Sequence, residues 1–300
     1  MSLRQSIITI YILFAFLSRG ISQDSIPPIG QWRDHLPYHS AIDVSAGNNK
    51  IFCATPYSVF NIDLSENSIT RMSRINGLHE TGVSAISYNE MSDKLFIGYR
   101  NSNIDIVYRN DIFNVPEIKL DNIVGDKTIY NVFSSGKYFY LSTGLGIVVI
   151  DADKYEVKDS WFIANNGGQV KVNGFTADNS FFYAASDEGL KITSVNTVDP
   201  ANYLNWQNIS GTNGLSAGAC NNVVNVQGKI FALKGDSVFM LNGLNWNLFF
   251  AEPTWKIQNI NSSSGKMIVC QKKSDGTAKV TSLNTDGTIA RTIQQSGLIV

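Results

Sequence analysis

The chain has 300 residues, of which 43% are hydrophobic and 16% charged, with a net charge of −1. A sizeable core is within reach, and the charged fraction lies well under the roughly 25% of an average domain. No basic stripe or cluster is present, which argues against nucleic-acid binding, since attraction to phosphates needs grouped Lys and Arg.

The polarity comes instead from residues such as Asn, of which there are 30, and Gly, of which there are 24. Both tolerate positive φ and build tight turns, so the composition predicts many turns. The interior has no Pro-rich run, Ser/Gly tract or block of like charge. One large domain is expected rather than two joined by a linker.

The chain opens with a leader pattern. Arg4 supplies a positive start, residues 7–17 form an apolar run of eleven with one Thr, and Gly20 and Ser22 are small residues suited to cleavage before Gln23. That run is too short to span a bilayer and fits an export signal. Residues 1–22 are therefore expected to be a signal peptide and residues 23–300 a propeller. No Cys lies near the cleavage point, so no lipid anchor is expected. No other window holds an 18-residue apolar run, so no transmembrane segment is expected.

From Ile42 a phrase recurs: an alternating strand, a turn, an aromatic-rich strand, a turn and a further strand. It restarts at Val83, Ile129, Val172, Ala219 and Ile257, with spacings between 38 and 47 residues. A period of forty-odd residues with three or four short strands predicts an all-β propeller. In KIFCAT, Ile51 and Cys53 should face one side and Phe52 and Ala54 the other. Asn48-Asn49, Asp93, Ser135-Gly136, Asn179, Gln227-Gly228 and Ser264-Gly265 read as hairpin turns. Phe52, Phe96, Phe139, Phe182 and Phe231 are aligned as one repeated position in the core between blades. Six repeats are present. A seven-bladed ring is expected, either incomplete or closed by the N-terminal strand, with residues 30–38 offered as the outer strand of the last blade. The abrupt end reads as a fragment of a longer chain.

Chemical motifs are sparse. Cys53, Cys220 and Cys270 lack metal or disulfide spacing and read as small apolar residues in strands. One disulfide plus a free thiol is the alternative. His35 and His39 would meet only on a helix, which Pro37 forbids. Asp151-Ala-Asp153 reads as a solvated turn rather than a calcium ligand, and residues 143–146 as a turn rather than a dinucleotide loop. No catalytic, metal or cofactor residues are assigned, and a non-enzyme is expected. In a propeller the turns between second and third strands share one face with the segments joining blades. The candidate partner or ligand face comprises Tyr57, His79, Glu80, Tyr99, Arg100, Asn103, Asp187 and Glu188, with Tyr57, Tyr99 and Arg100 of types common at hot spots.

Three segments carry a resemblance. IGQWRDHLPYHSAIDV, NGLHETGVSAISYNEMSDKLFIGYRNSNIDIV and the stretch from VPEIKLDN to YFYLSTGLGIVVIDADKYEVKD resemble the first propeller of PorZ-type proteins of the bacterial type IX secretion system. The string Trp32, Arg33, His35, Leu36, Pro37 and Tyr38 is its most specific part. The resemblance implies a surface or outer-membrane protein with two seven-bladed propellers and a C-terminal sorting domain. It implies a sortase-like protease and outer-membrane secretion subunits as partners, anionic lipopolysaccharide as a ligand supplied for cargo attachment, and no catalytic residues. The 300 residues are expected to hold neither the second propeller nor the sorting domain, which fits a fragment of a longer chain. The alternative is a periplasmic sensor propeller of a hybrid two-component regulator, suggested by Asn76-Gly-Leu78 and Asn213-Gly-Leu-Ser216. A secreted glycan-active enzyme is the third reading, for which only Asp187, Glu188 and Glu80 offer carboxylates.

Overall fold

The computed structural model describes residues 36–38 and 40–296. Residues 1–22, read from the sequence as a signal peptide, and Trp32, Arg33, His35 and His39 lie outside the described residues. Six four-stranded antiparallel sheets follow one another, each a meander whose strands pair in sequence order. They occupy residues 43–72, 83–115, 129–161, 172–208, 222–251 and 256–296, and are numbered here as blades 1 to 6. The only α-helix among the described residues is a single turn, Glu117–Leu120, between blades 2 and 3. The first strands of successive blades pack together from blade 1 to blade 6, so they form the inner rim.

Local chemistry fixes the hairpins. Gly47 pairs with Lys50 across Asn48 and Asn49, whose φ values are 49° and 57°. Gln227-Gly228 and Ser264-Gly265 close two further blades with φ values of 53° and 80°, and 49° and 70°. Two positive φ values in a two-residue loop match the right-handed twist of the flanking strands. Asn179 departs from this set. Its turn is held by Asp178, whose Oδ1 accepts from the backbone N–H groups of Ser180 at 2.7 Å and Phe181 at 2.8 Å.

Five apolar clusters join consecutive blades. The first combines Phe52 and Ala54 of blade 1 with Leu95, Ile97 and Tyr99 of blade 2. The second takes Phe96 and Ile106 of blade 2 with Phe139 and Leu141 of blade 3. The third is a nest of rings, with Tyr140 stacked on Phe175 at 5.1 Å and Trp161 beside Phe182 at 5.7 Å. Adjacent residues of one strand thus serve opposite junctions, as the two-residue period of a strand requires.

That period corrects the aligned phenylalanines. Counting back three residues from the ends of the second strands, at Thr55, Tyr99, Thr143, Ser186 and Lys234, gives Phe52, Phe96, Tyr140, Tyr183 and Phe231. Each of these faces the following blade. Phe139 and Phe182 sit one residue earlier and face the preceding blade. Both belong to inter-blade cores, but a slip of one residue exchanges the faces.

The outer strand of blade 6 is Ile289–Ser296, so all six blades have four strands of their own, and a strand from residues 30–38 would belong to a further blade. Residues 30–35 lie outside the described residues, while Tyr38 lies on blade 1, edge-on to Phe60 at 5.8 Å, with the Arg71 guanidinium 5.0 Å from its ring. Among the described residues no apolar cluster joins blade 6 to blade 1. The three cysteines are free thiols. Cys53 and Cys270 lie in strands, and Cys220 sits just before one.

Polar side chains tie neighbouring inner strands together. Asp43 Oδ2 accepts from Ile86 N–H and Ser45 Oγ from Tyr88 N–H, both at 2.8 Å. Asn89 donates to the Gly136 carbonyl and Asn225 to that of Ala177, each at 2.8 Å. Asn222 donates to the Ile260 carbonyl at 2.9 Å.

Burial raises the Asp43 carboxyl from 3.8 to about 6, overriding the two backbone N–H groups that favour its charge. A carboxyl raised in the fold gives stability that is full below its unfolded value and is lost as pH rises through the folded one. Between pH 4 and pH 7 the chain should lose on the order of 2 kcal/mol from this group. Urea unfolding across that range should show the loss in the native chain and its absence in Asp43→Asn.

Candidate partner-binding face

In a four-stranded meander the turn between the second and third strands lies at the same end as the exit of the fourth. The backbone shows the consequence at blades 1 and 2. Gly82 N–H donates to the Pro56 carbonyl at 2.8 Å, and Arg100 N–H to the Gly82 carbonyl at 2.8 Å. The segment joining the blades is therefore wedged between the two turns. At blades 4 and 5, Cys220 N–H likewise donates to the Ser186 carbonyl at 2.9 Å.

Asp105 organises this face. It sits in the third strand of blade 2, between Ile104 and Ile106, and is fully buried. Its Oδ2 accepts from His79 N–H at 2.9 Å and from the Tyr99 hydroxyl at 2.6 Å. Its Oδ1 meets His79 Nδ1 at 2.8 Å and accepts from Asn114 Nδ2 at 3.0 Å. Asn114 also donates to Asn103 Oδ1 at 3.0 Å, and Asn103 to Glu80 Oε1 at 3.4 Å. Lys119, from the one-turn helix, pairs with Glu80. That lysine, foremost, holds the Glu80 carboxyl below the usual range. Desolvation, and then the charge of Asp105, push the Tyr99 hydroxyl far above its ordinary value, so it stays a donor.

His79, Glu80, Tyr99 and Asn103 are thus brought into one network, but with different exposure. Tyr99 and Asn103 are buried, which corrects their placement as surface contacts. The reason is the hub itself, which needs their donors and acceptors inside. His79 and Arg100 are exposed, Glu80 is partly covered, and Tyr57 is 48% exposed.

On blade 4, Asp187 is exposed and accepts from Asn173 Nδ2 at 3.0 Å. Glu188 has a structural partner. It pairs at 2.6 Å with Lys191, a fully buried ammonium that also donates to Asn165 Oδ1 at 2.9 Å. A buried ammonium without a counter-charge would be costly. Asp151-Ala-Asp153 lies at the opposite end of blade 3, and Asp151 is buried rather than solvated. Lys137 pairs with Asp151 at 2.8 Å and Lys94 with Asp153 at 3.0 Å.

Among the described residues no group of three His, Cys, Asp or Glu is placed to hold a metal ion. No helix among them is long and apolar enough to cross a membrane. Of the six motif residues, Leu36 and Pro37 are partly buried and Tyr38 rests on blade 1, while the other three lie outside the described residues.

Removing the hub carboxylate strands several buried groups at once. Asp105→Ala should cost about 3 kcal/mol or more, because the Tyr99 hydroxyl and Asn114 amide lose a charged acceptor. Tyr99→Phe removes one bond to a carboxylate and should cost about 1–2 kcal/mol. Urea unfolding of the two variants checks the order, and equal costs would mean that Asp105 organises only Tyr99.

Comparison with known proteins places the fold. A search of curated proteins found no significant match. The structure of PorZ from Porphyromonas gingivalis, described as an essential bacterial surface component of the type-IX secretion system, is similar with a TM-score of 0.73 at 20% identity. The match covers 87% of this chain and 33% of that one, so the chain spans about a third of its length. The extracellular domain of a putative one-component system from B. thetaiotaomicron is similar with a TM-score of 0.53 at 10% identity, covering 85% of this chain and 41% of the other. Raptor of Chaetomium thermophilum gives a TM-score of 0.61 at 11% identity, covering 85% and 25%. These likenesses show a shared propeller fold. The family model described as TSS9, PorZ, N-terminal beta-propeller domain matches residues 51–207, more than half of the chain, and the chain belongs to that family.

Proposed function

We propose that this chain is a non-catalytic binding and scaffold propeller of the type IX secretion attachment complex. The observation that carries the reading is the family match over residues 51–207. In this reading residues 1–22 direct export, the propeller works at the cell surface, and the native chain continues beyond residue 300. Its partners are a sortase-like protease and outer-membrane secretion subunits. Anionic lipopolysaccharide is the ligand presented for cargo attachment.

The face built around Asp105 suits such a role. The hub gives the exposed Tyr57, His79 and Arg100 a fixed base, and preorganised contacts lower the ordering cost of binding. The sensor reading has in its favour the fold likeness to the extracellular domain of a putative one-component system, and it predicts a membrane helix and a kinase module in the reading frame past codon 300.

Deleting the gene should leave secreted cargo poorly exported or unprocessed, read by immunoblots of cell-surface and culture fractions. A double variant, Tyr57→Ala with Arg100→Ala, should restore less processing than the native gene at equal protein level. Normal cargo processing in the deletion strain would remove the secretion reading.

A further inference from the structure

The segment joining blades 2 and 3 is residues 116–128. It opens with the helix Glu117–Leu120 and runs over the outer strands of blade 3. Beneath it is a cavity of about 180 Å³. Its wall is built mainly from Ile118, Ile123, Leu145, Val157, Trp161 and Phe162. The Trp161 N–H is already engaged, donating to Asp159 Oδ2 at 2.8 Å, so the indole offers the cavity apolar surface. The cover is closely fitted to blade 3, since a Cβ on Gly125 would lie 2.5 Å from Leu145 Cδ2.

Two further features lie on the same segment. Leu120 and Val124 are 70% and 89% exposed on either side of the cavity residue Ile123. Single exposed aliphatic residues need no explanation, but these two stand within three residues of Ile123 on the short segment that covers the cavity. The rim carries Glu117 and Asp121, four positions apart across one helical turn and therefore on the same side. Lys127, the remaining charged rim residue, donates to the backbone carbonyl of Asp121 rather than to a carboxylate.

Size and charge define the occupant. A dry cavity of roughly 150 Å³ accepts a benzene-sized group, whereas pockets for whole small molecules run to about 300–1,000 Å³. We infer that the cavity is an anchor pocket for one leucine- to aromatic-sized side chain of a partner polypeptide, with a Lys or Arg beside the anchor meeting Glu117 and Asp121. Leu120 and Val124, exposed on the same segment, add apolar surface for the partner to cover. The inference takes from the proposed function only that this face meets a partner. It adds that the partner is a polypeptide and names its recognised chemistry.

The test uses the purified chain and capped pentapeptides, with methyl NMR of Ile118, Leu145 and Val157 as the readout. Gly-Lys-Leu-Lys-Gly should give saturable shifts there. Gly-Lys-Ala-Lys-Gly and Gly-Glu-Leu-Glu-Gly should bind at least about tenfold more weakly, the size of a lost 1.4 kcal/mol contact. Glu117→Lys, an exposed position, should reverse the charge preference, and Ile123→Trp should fill the cavity and abolish the shifts. Equal binding of the leucine and alanine peptides overturns the inference. So do unchanged affinities in both variants, or shifts given by anionic lipopolysaccharide and by none of the peptides. Peptide binding alongside normal secretion in a deletion strain would keep the pocket and remove the secretion role. Impaired secretion without peptide binding would do the reverse.

Discussion

The fold rests on sheets that are apolar on both faces. The second strand of blade 2, Lys94–Tyr99, and the third strand of blade 3, Ile147–Asp151, are buried at every position. Such a strand cannot leave one side in water, so each blade needs a neighbour on either hand. At about 25 cal/mol per Å² of apolar surface removed from water, this stacking is the main favourable contribution. Charged residues caught in these strands are tolerated only with partners. Lys94, Lys191 and Asp105 each have an opposite charge or several hydrogen bonds.

Stacking alone does not set how far one blade turns against the next, and the inner strands supply that constraint. Where two inner strands converge they do not form a ladder with each other, so side chains reach across to the neighbouring backbone. Asp43, Ser45, Asn89, Asn222 and Asn225 do this. Asn is suited to the task because its amide carries both donor and acceptor capacity on a short stem. The abundance of Asn, expected from turns, therefore has a second cause. Some build turns, as Asn48 and Asn49 do, and others clip blades together.

The repeat was legible because the turn chemistry and the two-residue alternation both operate within one hairpin. What the sequence could not supply was the phase of each strand against its blade. The triple aromatics Tyr138-Phe139-Tyr140 and Phe181-Phe182-Tyr183 each offer two registers, and only the turn at the strand end decides between them. The surface face was harder still. Tyr99 looks like a contact residue until its hydroxyl is seen to serve a buried carboxylate. A signal for that carboxylate does exist, since Asp105 stands between two isoleucines where a strand buried on both sides should be apolar. Lys191, between Leu190 and Ile192, gives the same signal and points to Glu188. The anchor pocket left no trace of this kind, because its wall is gathered from a helix, a turn and two strands.

Buried charge on this face is matched internally, and this shapes what the face can do. The carboxylates of Asp105 and Glu188 and the ammonium of Lys191 already have their partners, so they hold loops in place. The exposed side chains lie at the periphery, Tyr57, His79 and Arg100 near blade 2 and Leu120 and Val124 at and beyond the end of the one-turn helix. The two regions are physically linked. Lys119 of that helix pairs with Glu80, which Asn103 and Asn114 connect to Asp105. A continuous run of one ion pair and several hydrogen bonds therefore joins the hub to the helix that borders the cavity, so the two regions share one polar framework.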